Sequence, residues 1–261
     1  MLKVGVKSDK GKVRQRNEDS YCARDTLFAV ADGLGGHLAG EVASKLAIDE
    51  LVRGIEENPL PGLEELEEIF HQANRQICQL AEANPQYHGM GTTLTAIQIL
   101  EDRVLLGHVG DSRAYLYRGG ELCQLTVDHS LSGELYRKGE LSEQEAEHHP
   151  QKHVLTRALG TFQEVDVDTS SFRLGVGDLL LLCTDGLHGK VSGEELSAIL
   201  EERDDPQFTA EKLVTAALAK GGQDNITVIV IKNDEDELVD YEFSLELDEI
   251  LEKFQTPIGV S

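Results

Sequence analysis

Two apolar runs in this chain each end in an aspartate followed by a glycine. In LFAVADG the run from Leu27 reaches Asp32-Gly33, and in LLLLCTDG the run from Leu179 reaches Asp185-Gly186. Short, continuously apolar runs of this kind read as strands buried on both faces. The carboxylates are therefore delivered at the rim of a packed sheet, where an unpaired negative charge is costly unless something cationic meets it. Three more junctions between strand and loop carry acids: Asp111 after Gly110 in RVLLGHVGDSR, Asp224 ahead of the apolar run in GGQDNITVIV, and Glu18-Asp19 in RQRNED.

Taken singly, each acid has an ordinary reading, as a turn residue or a cap. Taken together they constrain the fold, because strand ends on one edge of a layered protein converge. Hard cations require such a cluster of oxygen donors, and a glycine carbonyl can serve beside a carboxylate. Paired cations at short separation hold and activate a bridging water for attack on phosphorus. Arg14, just before Glu18-Asp19, admits two readings. It is either an exposed member of a basic segment with Lys10, Lys12 and Arg16, or a planar fork for phosphate oxygens.

The chain has 261 residues, 48 of them acidic and 24 basic, for a formal charge of −24. That sign opposes general binding to nucleic acid or to a membrane surface. It suits a holder of divalent cations and equally a plain acidic cytosolic protein. Cys22, Cys78, Cys123 and Cys183 form no CxxC pair, so neither a zinc finger nor a disulfide framework is expected. The N-terminal stretch lacks an apolar leader core and no run approaches membrane-spanning length, so a cytoplasmic location is expected.

Strands are expected in LKVGVKSD, SYCARD and TLFAVADG. Two amphipathic helices follow, AGEVASKLAIDELVRGIEEN and GLEELEEIFHQANRQICQLAEAN, parted by Pro59 and Pro61. A β-rich run from Gly91 to Thr126 turns at Glu101-Asp102 and at Gly119-Gly120, the second a tight-hairpin pair. From Asp128 to Leu159 the chain is polar and weakly patterned, as a functional excursion would be. Strands return in VDVDTSSFRLGVGDLLLLCTDG, followed by helices in SGEELSAILEER and TAEKLVTAALAKGG and a last strand in NITVIVIK. This order predicts stacked layers with helices outside antiparallel sheets, and an acidic tail over 233–261 outside them.

RQRNED, ADGLGGHLAGEVAS, GTTL, GDSRAYL, HVLTRALG, CTDGL and GGQDNITVIV resemble, in order, the motifs of the metal-dependent protein serine/threonine phosphatases of the PPM (PP2C) family, bacterial type. The resemblance runs from Val4 to about Ile231 and implies a domain over 1–232. Its fold would be an α+β, four-layer α-β-β-α sandwich: two antiparallel sheets flanked by helix pairs, with the metal site at one end. It implies two Mn²⁺ or Mg²⁺ ions, Asp32 bridging both, the Gly33 carbonyl completing one site, and Asp185 and Asp224 holding the other. Glu18 and Asp19 would contact metal-bound water, Arg14 would clamp the phosphate, and Asp111 would hold a third, weaker ion. The span from Asp128 to about Pro150 would be a flap beside the substrate groove. Eukaryotic members place a histidine directly after Asp-Gly. Here Leu34 stands there and His37 follows three residues later, either to protonate the leaving oxygen or to position substrate. Phosphoproteins, a bacterial Ser/Thr kinase among them, would be the partners of a monomer that binds neither nucleic acid nor membrane.

Other phosphate chemistries fail on their residues. None of the cysteines is followed by Arg at the spacing of a cysteine phosphatase. DVDTS at Asp166 has its hydroxyl in the wrong place for an aspartyl-phosphate motif, and GLGGHLAGEV has Glu41 where a P-loop needs Lys. A regulatory pseudo-phosphatase and a two-metal hydrolase of small phosphate esters remain as other classes.

Overall fold

The computed structural model describes residues 1–35, 39–101 and 103–234. Its first half contains β1 (Leu2–Asp9), β2 (Ser20–Arg24), β3 (Leu27–Ala31), β4 (Gly33–Leu34), α1 (Ala39–Glu57), α2 (Leu63–Ala83), β5 (Gly91–Thr92), β6 (Leu94–Ile99), β7 (Val104–Val109), β8 (Arg113–Arg118) and β9 (Glu121–Gln124). The second half contains α3 (Leu131–Arg137), α4 (Glu143–Glu147), β10 (Asp168–Phe172), β11 (Leu179–Cys183), α5 (Asp185–His188), α6 (Gly193–Glu201), α7 (Pro206–Ala219) and β12 (Ile226–Asn233).

The apolar runs are strands covered on both faces, and the two-residue period sorts their side chains into three cores. Phe28 and Val30 of β3 meet Leu180 and Leu182 of β11 and Ile229 and Ile231 of β12 between two sheets. On the other face of β3, Leu27, Ala29 and Ala31 pack against Ala43, Ala47 and Leu51 of α1 and Phe70 of α2. Leu179, Leu181 and Cys183 face Leu196 and Leu200 of α6 and Leu213 and Val214 of α7. The sheets run β1-β12-β11-β8-β9 and β10-β7-β6-β3-β2, antiparallel in every pair. The expected α-β-β-α sandwich is the architecture observed.

Local chemistry accounts for most element ends. Gly119 and Gly120 both take positive φ, 62° and 95°, as the tight β8–β9 hairpin demands. Glu65 returns to the Gly62 N–H at 2.9 Å to start α2. The last helix begins three residues earlier than the apolar pattern suggests. Asp205 accepts the Gln207 N–H at 2.9 Å and Pro206 fills the first helical position, so capping set the boundary. The polar excursion also differs from its weak pattern: it carries α3 and α4, capped by Ser130 and Ser142. It is rooted where Leu131 N–H meets Val154 O at 2.9 Å and Thr156 N–H meets His129 O at 2.8 Å. Residue Asp102 of the expected Glu101-Asp102 turn, His37, and the tail beyond Asp234 lie outside the described residues.

Candidate active site

Asp32 leaves β3 at the sheet rim, and its backbone is fixed from the GTTL segment. Its N–H donates to Thr93 Oγ1 at 2.9 Å, and its carbonyl accepts from the Thr93 N–H at 2.9 Å and Thr92 Oγ1 at 2.8 Å. The glycine after it serves close approach, since it has no positive φ. A Cβ on Gly33 would lie 2.3 Å from the Gly40 carbonyl oxygen and 2.6 Å from that of Glu18. The first turn of α1 is thereby drawn onto the Asp32-Gly33 segment. Gly186 does the same across the site, where a Cβ would lie 1.9 Å from Asn225 O. The Asp-Gly pairs are therefore sites of backbone contact rather than turns.

Asn225 staples the N-terminal segment to this edge. It donates to Lys10 O and Arg16 O at 2.9 and 2.8 Å, and it accepts the Glu18 N–H at 2.8 Å. Asp19 then reaches inward, its Oδ2 accepting from Thr184 and Thr227 hydroxyls at 2.9 and 2.7 Å. Among the described residues, neither Asp19 Oδ1 nor Asp185 Oδ1 has a hydrogen-bond partner, although both atoms are buried. Asp185 opens α5 directly after Thr184, with its carboxyl in hydrogen-bonding proximity to that of Asp32.

Burial raises the carboxyls of Asp19, Asp32, Asp111 and Asp185, and their mutual repulsion adds to it. Glu18 is raised by burial and by Asp224 and Glu41, against the opposing charge of Arg14. Asp111, only 7% exposed, follows Gly110 at φ 113° and has His188 Nε2 2.9 Å from its carbonyl oxygen. The neighbouring Arg113 is committed to Asp128 by paired 2.8 Å contacts. Arg14 donates to Asp224 Oδ2 at 2.8 Å and is half exposed.

The fold thus brings Glu18, Asp19, Asp32, Gly33, Asp185, Asp224, Asp111 and Arg14 to one end of the sandwich. Among the described residues, no three His, Cys, Asp or Glu side chains are gathered into a ready-made cage. Small hard cations keep several waters and use few carboxylates each, so the open arrangement suits them. Orphaned buried oxygens and repelling carboxylates are the deficit that such a cation relieves. The sequence reading missed Thr93, Thr184, Thr227 and Asn225, all within quoted motifs, because they hold the acids by non-local bonds. It also missed His153, whose Nδ1 lies 4.0 Å from Asp185 Oδ2. A cavity of about 520 Å³ opens beside Asp111, bordered by Lys152, His153, His188 and Lys190.

Comparison with known proteins agrees with this geometry. The protein phosphatase 2C family matches residues 12–220. Serine/threonine phosphatase stp of Listeria monocytogenes is 40% identical over 238 residues, covering 87% of this chain and 94% of the relative. Serine/threonine protein phosphatase PstP of Mycobacterium tuberculosis is 42% identical over 93% of this chain, which spans 46% of that relative. The crystal structure of M. tuberculosis PstP/Ppp has a TM-score of 0.84 at 40% identity, covering 90% of this chain and 99% of that one. A PstP catalytic domain in complex with two manganese ions has a TM-score of 0.81 at 39% identity, with the same coverage. A match across most of the chain, joined to the acids at one end of this sandwich, means that the chain belongs to the protein phosphatase 2C family.

Proposed function

We propose that this protein hydrolyses phosphoserine and phosphothreonine in proteins with two Mn²⁺ or Mg²⁺ ions. The observation that carries the reading is the convergence of Asp19, Asp32, Asp111 and Asp185, with the buried and unpartnered oxygens of Asp19 and Asp185. When bound, the ions supply an activated water and offset charge on the phosphoryl oxygens. Asp32 and the Gly33 carbonyl would hold one ion, and Asp185 and Asp224 the other. Asp19 Oδ1 and Glu18 would accept hydrogen bonds from water, the Asp19 carboxyl being locked in place by the Thr184 and Thr227 hydroxyls. Arg14 would exchange Asp224 for the substrate phosphate, a move its exposure permits. Asp111 would hold a third ion with Asp185, and His37 would position the substrate or protonate its leaving oxygen.

The chemistry needs no enzyme-bound phosphate, and the buried thiols of Cys22, Cys78, Cys123 and Cys183 take no part. Four free cysteines support a reducing cytoplasm as the setting, and no helix of the described residues is long and apolar enough to cross a membrane. The substrates would include a Ser/Thr kinase and its targets, met by a monomer. The net charge of −24 disfavours nucleic acid and anionic membrane as partners. Turnover of a phosphothreonine peptide with Mn²⁺, and its loss in EDTA, tests the reading. Turnover that survives chelation, or a trapped phosphoenzyme, overturns it. Faster turnover of nucleotides or sugar phosphates than of the peptide would favour a small-ester hydrolase.

A further inference from the structure

DVDTS has no part in the metal site, yet its second aspartate is the meeting point of the polar excursion and the body. Asp168 opens the edge strand β10 opposite His108 of β7. Its Oδ2 accepts from Arg137 Nη2 at 2.9 Å and lies 3.1 Å from His129 Nε2, while its Oδ1 accepts from Arg157 Nη1 at 2.9 Å. Arg157 also reaches Glu134 Oε1 at 3.3 Å. These partners come from three places: the root of the excursion (His129), its first helix (Glu134 and Arg137), and the segment by which it returns (Arg157).

His129 carries the connection to the active site. Its backbone N–H donates to Gly110 O at 2.7 Å, and its Nδ1 accepts the Gly110 N–H at 3.1 Å. With Nδ1 accepting, the ring proton sits on Nε2, which faces Asp168 Oδ2 at 3.1 Å and Arg157 Nη1 at 3.4 Å. The ring is fully buried against His108, centroids 4.6 Å apart. One histidine therefore grips both backbone groups of the residue before Asp111 and is itself oriented by Asp168. Burial by itself would raise the Asp168 carboxyl, but the His129 hydrogen bond and the Arg137 charge outweigh it. The carboxylate stays ionised beside its guanidinium partners.

The geometry points to Asp168 as a positioning residue that locks the 129–157 excursion onto the sheet edge and so sets one wall of the cavity beside Asp111, which Ser132, Tyr136, Lys152 and His153 of the excursion line. It acts through His129, Arg137 and Arg157. The inference rests on the phosphatase reading for its kinetic arm alone.

The test uses the full chain with Mn²⁺ and compares wild type with Asp168→Asn. Trypsin cleavage after Lys138, exposed just past α3, reads the excursion directly. It should quicken by about tenfold as the segment opens locally. KM for a phosphothreonine peptide should rise by about fivefold or more, while kcat for p-nitrophenyl phosphate stays within about twofold, because a small ester does not need the cavity wall. Unchanged cleavage after Lys138 overturns the inference. So does a fall of both substrates together in proportion to folded protein, the mark of a residue that merely stabilises. Should Asp168→Asn not fold, Arg137→Gln on the excursion side decides by the same criteria. If wild type hydrolyses neither substrate, the phosphatase reading fails separately and cleavage after Lys138 alone decides: faster supports the lock, unchanged removes it.

Discussion

Asp185 begins a helix with one buried carboxyl oxygen that has no hydrogen-bond partner among the described residues, and with Asp32 beside it. Such an arrangement is unfavourable without metal, which gives a prediction of opposite signs. Asp185→Asn should raise the melting temperature of the EDTA-treated protein by about 2–4 °C, the shift worth ~1 kcal/mol in a chain of this size. It should also abolish most of the further rise that Mn²⁺ gives wild type, and turnover should fall by more than the 10- to 100-fold typical of residues one step removed from a metal. Thermal scans with and without Mn²⁺ check both signs; a lower melting temperature in EDTA would place Asp185 in an ordinary cap. Arg14→Ala should lower kcat/KM for phosphopeptides by about 10- to 150-fold, from the loss of a charge-assisted contact worth roughly 1.5–3 kcal/mol. Mn²⁺ affinity should change little, and kinetics equal to wild type would return Arg14 to the exposed basic segment.

Contacts between elements separate stability from chemistry. Ser192 caps α6, accepting the Glu195 N–H while its own N–H is met by Glu195 Oε2 at 2.9 Å. Ser192→Ala should cost about 1 kcal/mol of stability and leave turnover per folded molecule unchanged. Gly186→Ala is the contrasting case. Its new methyl would collide with backbone at Asn225, so α5 and the loop before β12 must part, and with them Asp185 and Asp224. That overpacking should cost about 1–3 kcal/mol and also weaken Mn²⁺ binding. Urea midpoints and metal titrations on both variants distinguish the cap from the contact.

Across the whole molecule, buried histidines set the response to acid. His108 is pushed down to about 3, first by burial and then by His129, with Asp168 and Asp128 opposing. The unfolded chain takes up its proton near the ordinary value of 6.5, so stability is full above that pH and is lost as pH falls toward 3. The loss should be on the order of a few kcal/mol, and His108→Asn should flatten the fall of melting temperature between pH 6.5 and 4. An unaltered slope would assign acid sensitivity to other groups. At the other boundary, the Met1 amine donates to Asp234 O at 2.9 Å and the Asp234 N–H returns to Met1 O at 3.0 Å, closing the sheet between β1 and β12. A chain ending at Asp234 should therefore keep its fold and Mn²⁺-dependent turnover; failure to fold would make the acidic tail part of the domain.

The sequence by itself determined the strands, the long helices and the acids at the strand ends. Those are local properties: a two-residue apolar period, a helical period, a paired-glycine turn and a carboxylate at the end of a buried run. It also placed Asp32 and Asp185 at the rim. Only the tertiary structure decided that β1 pairs with β12, that β4 and β5, two residues each, pair as a small third sheet, and that Thr184 and Thr227 orient Asp19. It likewise turned Asp168, one acid among many in the sequence, into the anchor of the excursion. The physical reason is that periodicity is written between near neighbours in the chain, whereas strand pairing, close backbone approach and the cost of a buried charge depend on which distant segments meet.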